Sequence, residues 1–265
     1  MINKESWFHR KLRSLLIYIY TRIENEGNID FLSNGEGKFL LALKSYFEKH
    51  VDSKLELQFF DIGANTGEFT RLLRSHISET ANIHVFEPVE SLCDFMEKQF
   101  NNDQFIHINA VGVSSKQGSQ IFYSDKEGSA LGSFLQRDEF STGLLFNQNT
   151  FVSTIRLDSY IDSKKIEHIN FIKIDTEGHE YEVIESLGRY LDPLFIDFLQ
   201  FEYGGTTLDA GRSLRKYFEC FEKAGFVVAK IMQNGLLVRP YESWMDDFRY
   251  ANFVAISPVC IGKYS

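Results

Sequence analysis

Three cysteines in 265 residues, Cys93, Cys220 and Cys260, are too few and too scattered for a disulfide framework or a CxxC metal or redox pair. An odd, dispersed set suits a reducing compartment and small buried hydrophobes. Prolines number four, and no linker or low-complexity tract divides the chain. No apolar run approaches bilayer length: Leu15 to Tyr20, the longest near the N-terminus, is far short of the roughly 20 residues required. No signal peptide is visible, so the cytoplasm is the expected location. Positive charge is also scarce: 28 Lys and Arg against 37 Asp and Glu leave a formal charge of −9. Such a surface repels phosphate backbones and argues against generic nucleic-acid binding, while leaving room for a locally basic pocket.

What the chain does have is aromatic bulk, with 25 Phe and 12 Tyr to fill a large core. Residues 1–50 form a helical N-terminal extension in this reading, and 51–265 the main domain. Near the start, His9, Arg10, Lys11 and Arg13 precede Leu15, Leu16, Ile17 and Ile19. That pattern offers a basic amphipathic face to a membrane. The plainer expectation is a helix packed on the domain or on a second subunit, as in a homodimer. Phe39, Leu40, Leu43, Tyr46 and Phe47 mark a second helix.

From residue 57 short β-rich runs alternate with helical segments. Strands are expected at Leu57–Ile62, Asn82–Glu87, Phe105–Val111, Ile169–Asp175, Ile196–Tyr203, Phe226–Met232 and Phe253–Ile256. Helices fall between them at Phe69–Ile77, Ser91–Phe100, Tyr181–Leu191 and Leu214–Ala224. The alternation predicts an α/β fold with a mostly parallel, Rossmann-like sheet of seven strands. Gln120–Tyr123 and Val152–Leu157, in a glycine-punctuated stretch, predict an inserted β-hairpin with a polar loop at Asp125–Phe134.

The segment Phe60-Asp61-Ile62-Gly63-Ala64-Asn65-Thr66-Gly67-Glu68 joins an apolar strand to an amphipathic helix. Gly63 permits a sharp turn, and Gly67 lets the helix start beside the strand. The loop is neither GxGxxG nor a lysine-bearing phosphate loop. An acid, Asp61, beside a short glycine loop suits a ligand with positive sulfonium and ammonium groups and one carboxylate, as in S-adenosylmethionine. The second strand ends at Glu87-Pro88, where an acid is placed to accept hydrogen bonds from two ribose hydroxyls. Asn109, Ala110 and Val111, ending the third strand, are expected near the adenine. An ordinary strand end is the competing reading.

The stretches FFDIGANTGEFT, VFEPVE, NAVGVSS, TIRLDSY, IKIDTEGHE and FLQFEYG, running from about residue 57 to 255, resemble the FkbM family of S-adenosylmethionine-dependent methyltransferases. The resemblance implies a class I methyltransferase sheet. It also implies O-methylation of a hydroxyl on a sugar, glycan, glycolipid or polyketide natural product.

Methyl transfer to oxygen calls for a base near the cofactor's reactive end. Asp175, Glu177, His179 and Glu202 lie at adjacent strand ends and are expected to converge, with Asp175 or His179 the preferred base. Asp175, Glu177 and Glu202 are alternatively ligands for Mg²⁺ or Mn²⁺. In the bland alternative Glu177 and His179 cap a helix and Glu202 pairs with an Arg. Tyr203, Trp244, Phe248 and Tyr250 are candidates for a sugar-binding wall or for core packing. A loop with Ser129 and Ser133 either covers the acceptor or is plain solvent loop. Two rival functions share the fold: a nicotinamide-dependent oxidoreductase and a non-catalytic cofactor-binding scaffold.

Overall fold

The computed structural model describes residues 6–52, 55–125, 132–137, 146 and 148–264. The helices are α1 (Trp7–Glu24), α2 (Glu36–His50), α3 (Glu68–His76), α4 (Glu90–Gln99), α5 (Leu157–Lys164), α6 (Glu180–Ser186), α7 (Gly205–Asp209), α8 (Leu214–Ala224) and α9 (Pro258–Tyr264). The strands are β1 (Gln58–Ile62), β2 (Asn82–Phe86), β3 (Ile106–Asn109), β4 (Gly112–Val113), β5 (Gly118–Ser124), β6 (Gln148–Ile155), β7 (Ile169–Ile174), β8 (Ile196–Tyr203), β9 (Val227–Met232), β10 (Gly235–Val238) and β11 (Ala251–Ile256).

The main sheet has the order β10-β9-β11-β8-β7-β1-β2-β3. Neighbours from β3 through β8 pair in parallel, and β11 runs antiparallel to both β8 and β9. The chain builds outward from β1 to β3, then crosses back to add β7 on the other side of β1. That reversal opens a crevice at the C-terminal ends of β1 and β7, where open α/β sheets place ligands.

The seven expected strands are all present, and the Rossmann-like class is that of the sheet. An eighth strand, β10, extends it. Gln233 and Asn234 make a two-residue turn that folds Gly235–Val238 back onto β9. Four residues are too short a stretch for alternation to announce. The inserted hairpin is also present: β5 pairs antiparallel with β6, and β4 adds to β6 in parallel. Most of the polar loop expected there, with Ser129, lies outside the described residues. Ser133 is buried and pairs with Tyr123 through both backbone groups.

Alternation along the strands sorts the core into two layers. Phe60, Ile172, Leu199 and Phe201 face α5, α6 and α8 through Ile161, Val183, Tyr217 and Phe221. Phe59, Phe171 and Phe198 face α2, α3 and α4 through Phe39, Leu43, Leu73 and Met96. Central strands buried on both faces carry near-continuous apolar runs, as β7 and β11 do.

The helical segment ahead of residue 51 divides in two. α2 is part of the core, with Leu40 and Leu43 essentially inaccessible. α1 is not packed on the domain as expected: every residue from Ser6 to Ile19 is exposed. It is tied to the body at its C-terminal end, where Arg239 and Lys230 bind Glu24 and the Asn25 amide donates to Ile231 O at 3.1 Å.

Because α2 seals one face of the sheet, Leu43→Ala should destabilise the protein by about 2–5 kcal/mol in urea unfolding, the range for emptying a buried leucine site. A loss under about 1 kcal/mol would show that α2 is a dispensable cover.

Candidate active site

A cavity of about 1000 Å³ opens at the strand ends around the crevice. Its floor is a polar row set by strand register. Asp61 of β1 pairs with Lys173 of β7, which pairs with Gln200 of β8. All three are buried. Glu36, in the first turn of α2, closes over the row: it accepts a hydrogen bond from Gln200 Nε2 at 2.6 Å and lies 3.8 Å from Lys173 Nζ. Lys173 also donates to Asp175 Oδ2 at 3.3 Å and lies over the Phe69 ring. Burial by itself would lower the Lys173 pKa, but the charges of Asp175 and Glu36 outweigh it and hold the lysine above its ordinary value. Burial pushes the Asp61 carboxyl up to about 6, against the Thr70 hydroxyl that donates to it at 2.5 Å.

The glycine loop lies above this row. Gly63 adopts φ +82°, and a Cβ there would stand 1.8 Å from the Asp175 carbonyl oxygen. Only glycine allows β1 and β7 to meet so closely. Gly67, with φ +74°, plays a different part. Its Cβ would strike Met96 and Phe100, so it seats α3 against α4 rather than facing the cavity. Ala64, Asn65 and Thr66 line the cavity between the two glycines.

Glu87 and Pro88 line the adjoining wall with Phe86. The Asn65 and Val89 amides donate to the two Glu87 oxygens at 2.9 and 3.0 Å. Each oxygen keeps one lone pair for a ligand hydroxyl. Burial raises the Glu87 carboxyl to about 7, against those two hydrogen bonds. Asn109, Ala110 and Val111 do not line this cavity. The Asn109 side chain is turned to the backbone, donating to Val85 O and His107 O. The next residues, Gly112 and Val113, form the wall with Phe122 and Phe134.

Past β7 the chain makes the turn Asp175-Thr176-Glu177-Gly178-His179-Glu180. The buried Glu180 carboxylate organises it, accepting from Thr176 N and Gly178 N, each at 3.0 Å, and from the Thr176 hydroxyl at 3.2 Å. Asp175 and Glu177 line the cavity. Asp175 keeps its side chain 40% exposed. Glu177 is held by Arg137 at 3.0 Å, and burial together with the Asp175 charge raises its pKa. Glu202, expected to converge with them, does not line the cavity; it stands half-buried one strand over. Burial and the charges of Asp175 and Glu177 lift its carboxyl well above the usual range.

His179 departs from expectation. It is buried outside the cavity lining, with Nε2 3.0 Å from Ser114 Oγ and its ring against Phe134. Burial lowers its pKa, and its position at the start of α6 suits a packing role. The metal set fails as well. Among the described residues no group of three or more His, Cys, Asp or Glu is placed to hold a metal ion. Arg137 draws Glu177 aside, and Lys173 engages Asp175. Of the four aromatics expected as a sugar wall, only Tyr250 lines the cavity, while Tyr203 is buried with its hydroxyl 3.3 Å from Asp246.

Sequence reasoning missed Lys173, Glu36 and Glu180. Lys173 carried a signal, because a lysine inside the run Ile-Asn-Phe-Ile-Lys-Ile must be paired in a buried strand. Glu36 carried none, since the partners that bring it to the site, Lys173 and Gln200, are far away in the chain. The segment Ile29–Leu32 also reaches the cavity, lining it opposite Phe69 and Leu72.

A family model described as a methyltransferase FkbM domain matches residues 61–228. A type II methyltransferase, M.HincII of Haemophilus influenzae, is 25% identical over 193 residues, covering 65% of this chain and 35% of that protein. The chain thus spans about a third of the length of that curated relative. A solved structure of methyltransferase FkbM from Methylobacillus flagellatus aligns with TM-score 0.47 and 13% identity, covering 95% of this chain and 61% of that one. The O-methyltransferase from Bacillus cereus aligns with TM-score 0.42 and 11% identity, covering 97% and 93%.

The contact between Gly63 and Asp175 is testable. Gly63→Ala should cost about 1–3 kcal/mol in urea unfolding, the scale for forcing atoms into a packed site. Gly205→Ala, where an added Cβ meets open space, should change stability by less than about 0.5 kcal/mol. Equal effects would mean that close approach does not constrain position 63.

Proposed function

The chain belongs to the FkbM methyltransferase family, and from that premise we propose that it transfers a methyl group from S-adenosylmethionine to a hydroxyl oxygen of a sugar, glycan, glycolipid or natural-product acceptor. One observation carries the reading: the Asp175 carboxylate opens into the cavity at the point where the glycine loop touches β7. That position supports a role for Asp175 as general base for the acceptor, beside the loop that would hold the cofactor.

The donor set suits that cofactor. Asp61 and Glu87 offer carboxylate oxygens to an ammonium and to ribose hydroxyls, and Phe86, Pro88 and Val113 offer an apolar wall to a purine. No lysine stands at the end of the glycine loop, as a triphosphate would require. When bound, the cofactor supplies an electrophilic methyl carbon on a positive sulfur. Asp175 would accept the proton of an acceptor hydroxyl as that oxygen takes up the methyl group. Lys173 fixes the Asp175 carboxylate from below. Burial, with the charges of Asp175 and Glu177, raises the Glu202 carboxyl well above its usual range, which disfavours it as the base. Tyr250 lies along the floor beside Lys173.

Asp175→Asn keeps size and removes basicity. It should lower kcat by a factor of about 10²–10⁴ and change cofactor affinity by calorimetry far less. A loss of affinity matching the loss of rate would instead make Asp175 a cofactor ligand. Absence of turnover by the native chain with every hydroxyl acceptor class, despite cofactor binding, would favour a non-catalytic scaffold.

Glu87 yields a pH prediction. A carboxyl near pKa 7 accepts ribose hydroxyls when ionised, so cofactor affinity should fall as pH drops through 7, by up to about tenfold per unit below it. Glu87→Gln should weaken binding by about 1.5–3 kcal/mol and flatten that dependence. An unchanged pH profile in the variant would remove the ribose role.

A further inference from the structure

The helix α1 leaves the body of the protein and exposes a large apolar surface. Its 18 residues reach about 27 Å. At about 100° per residue, Phe8, Leu12, Leu15, Leu16, Ile19 and Ile23 fall on one arc about 100° wide. Each of the six is between 42% and 65% exposed. Lys11 and Arg22 flank one side of the arc, and His9 and Arg13 the other. Trp7, at the tip, is 69% exposed. No acidic residue occurs on the helix until Glu24, which is occupied by Arg239 and Lys230. The helix is therefore cationic on a chain whose formal charge is −9.

We propose that α1 is a membrane-docking arm that lies in the headgroup layer of an anionic phospholipid bilayer. An apolar arc with cations along both edges is the arrangement that buries side chains among acyl chains while lysine and arginine reach back to phosphates. No helix among the described residues is long and apolar enough to cross a bilayer, so α1 lies on the surface and does not span it. Charge decides between this occupant and a second copy of the same helix. Two such arcs facing each other would set Lys11 and Arg22 beside the same cations of the partner helix, with no free acid on either helix among the described residues. Anionic headgroups neutralise the same edges.

The base of the arm ties docking to the cavity. The Gly27 amide donates to the carbonyl of Tyr250 at 2.8 Å, and Ile29 and Leu32, which line the cavity, are themselves exposed. A docked arm sets this rim near the bilayer. The inference does not depend on the chemistry proposed for the cavity.

The test is sedimentation of the full chain with vesicles of phosphatidylcholine alone and of phosphatidylcholine doped with phosphatidylglycerol. Binding is expected to the anionic vesicles, weakening as salt rises. The triple variant Leu12→Glu, Leu16→Glu, Ile19→Glu should lose at least about tenfold of that binding. Its thermal midpoint and cofactor affinity should be unchanged, because all three side chains are exposed. Lys11→Gln with Arg22→Gln should remove the preference for anionic over neutral vesicles. The proposal is overturned if neither vesicle is bound, or if the triple variant binds as tightly as the native chain. It is equally overturned if light scattering shows a dimer that the triple substitution dissociates while vesicle binding is absent, since a second copy then covers the helix.

Discussion

A lysine ammonium in a central strand of an aromatic-rich sheet is costly to bury unless acids surround it. Lys173 meets that condition through Asp175 on its own strand end and Glu36 on α2, with Asp61 beside it in register. The requirement reaches well beyond one residue. It holds the start of α2 over the strand ends, because Glu36 must lie there. It fixes the Asp175 side chain at the mouth of the cavity. It also leaves a row of polar groups, Asp61, Lys173 and Gln200, near the C-terminal ends of the central strands beside the cavity.

Two backbone constraints complete it. The near-contact of Gly63 with the Asp175 carbonyl brings the glycine loop to the end of β7, so the group that would grip a cofactor and the group that would take a proton are adjacent. The Glu180 carboxylate, closing the turn after Asp175 with three hydrogen bonds, holds Asp175 and Glu177 at the rim. Glu177 shows how a neighbour changes a role. Its carboxylate is near the site, but Arg137 binds it, so it acts as a strut of the wall.

The segment before residue 51 has two physical characters. α2 buries Phe39, Leu40 and Leu43 and supplies Glu36, so it belongs to both core and site. α1 buries almost nothing along its outer turns, yet it is tied at Glu24 and Asn25 to β9 and its neighbours. The helix is fixed at its base and bare along its length.

Much of this was legible in the chain alone. The alternation of apolar runs with helical periods marked seven strands of the main sheet, because central strands buried on both faces carry mostly apolar residues. The loop Asp61–Gly67 and the acid Glu87 were visible because local backbone geometry demands glycine and because the acid follows the next strand at a fixed remove. Tertiary structure decided the rest. It turned His179 toward Ser114, paired Glu177 with Arg137, moved the cavity wall from Asn109–Val111 to Gly112 and Val113, and brought Glu36 to Lys173. Periodicity reports which face of an element is buried. It does not report which distant side chain lies across that face, and a charged group's role is set by that partner and by the water it loses.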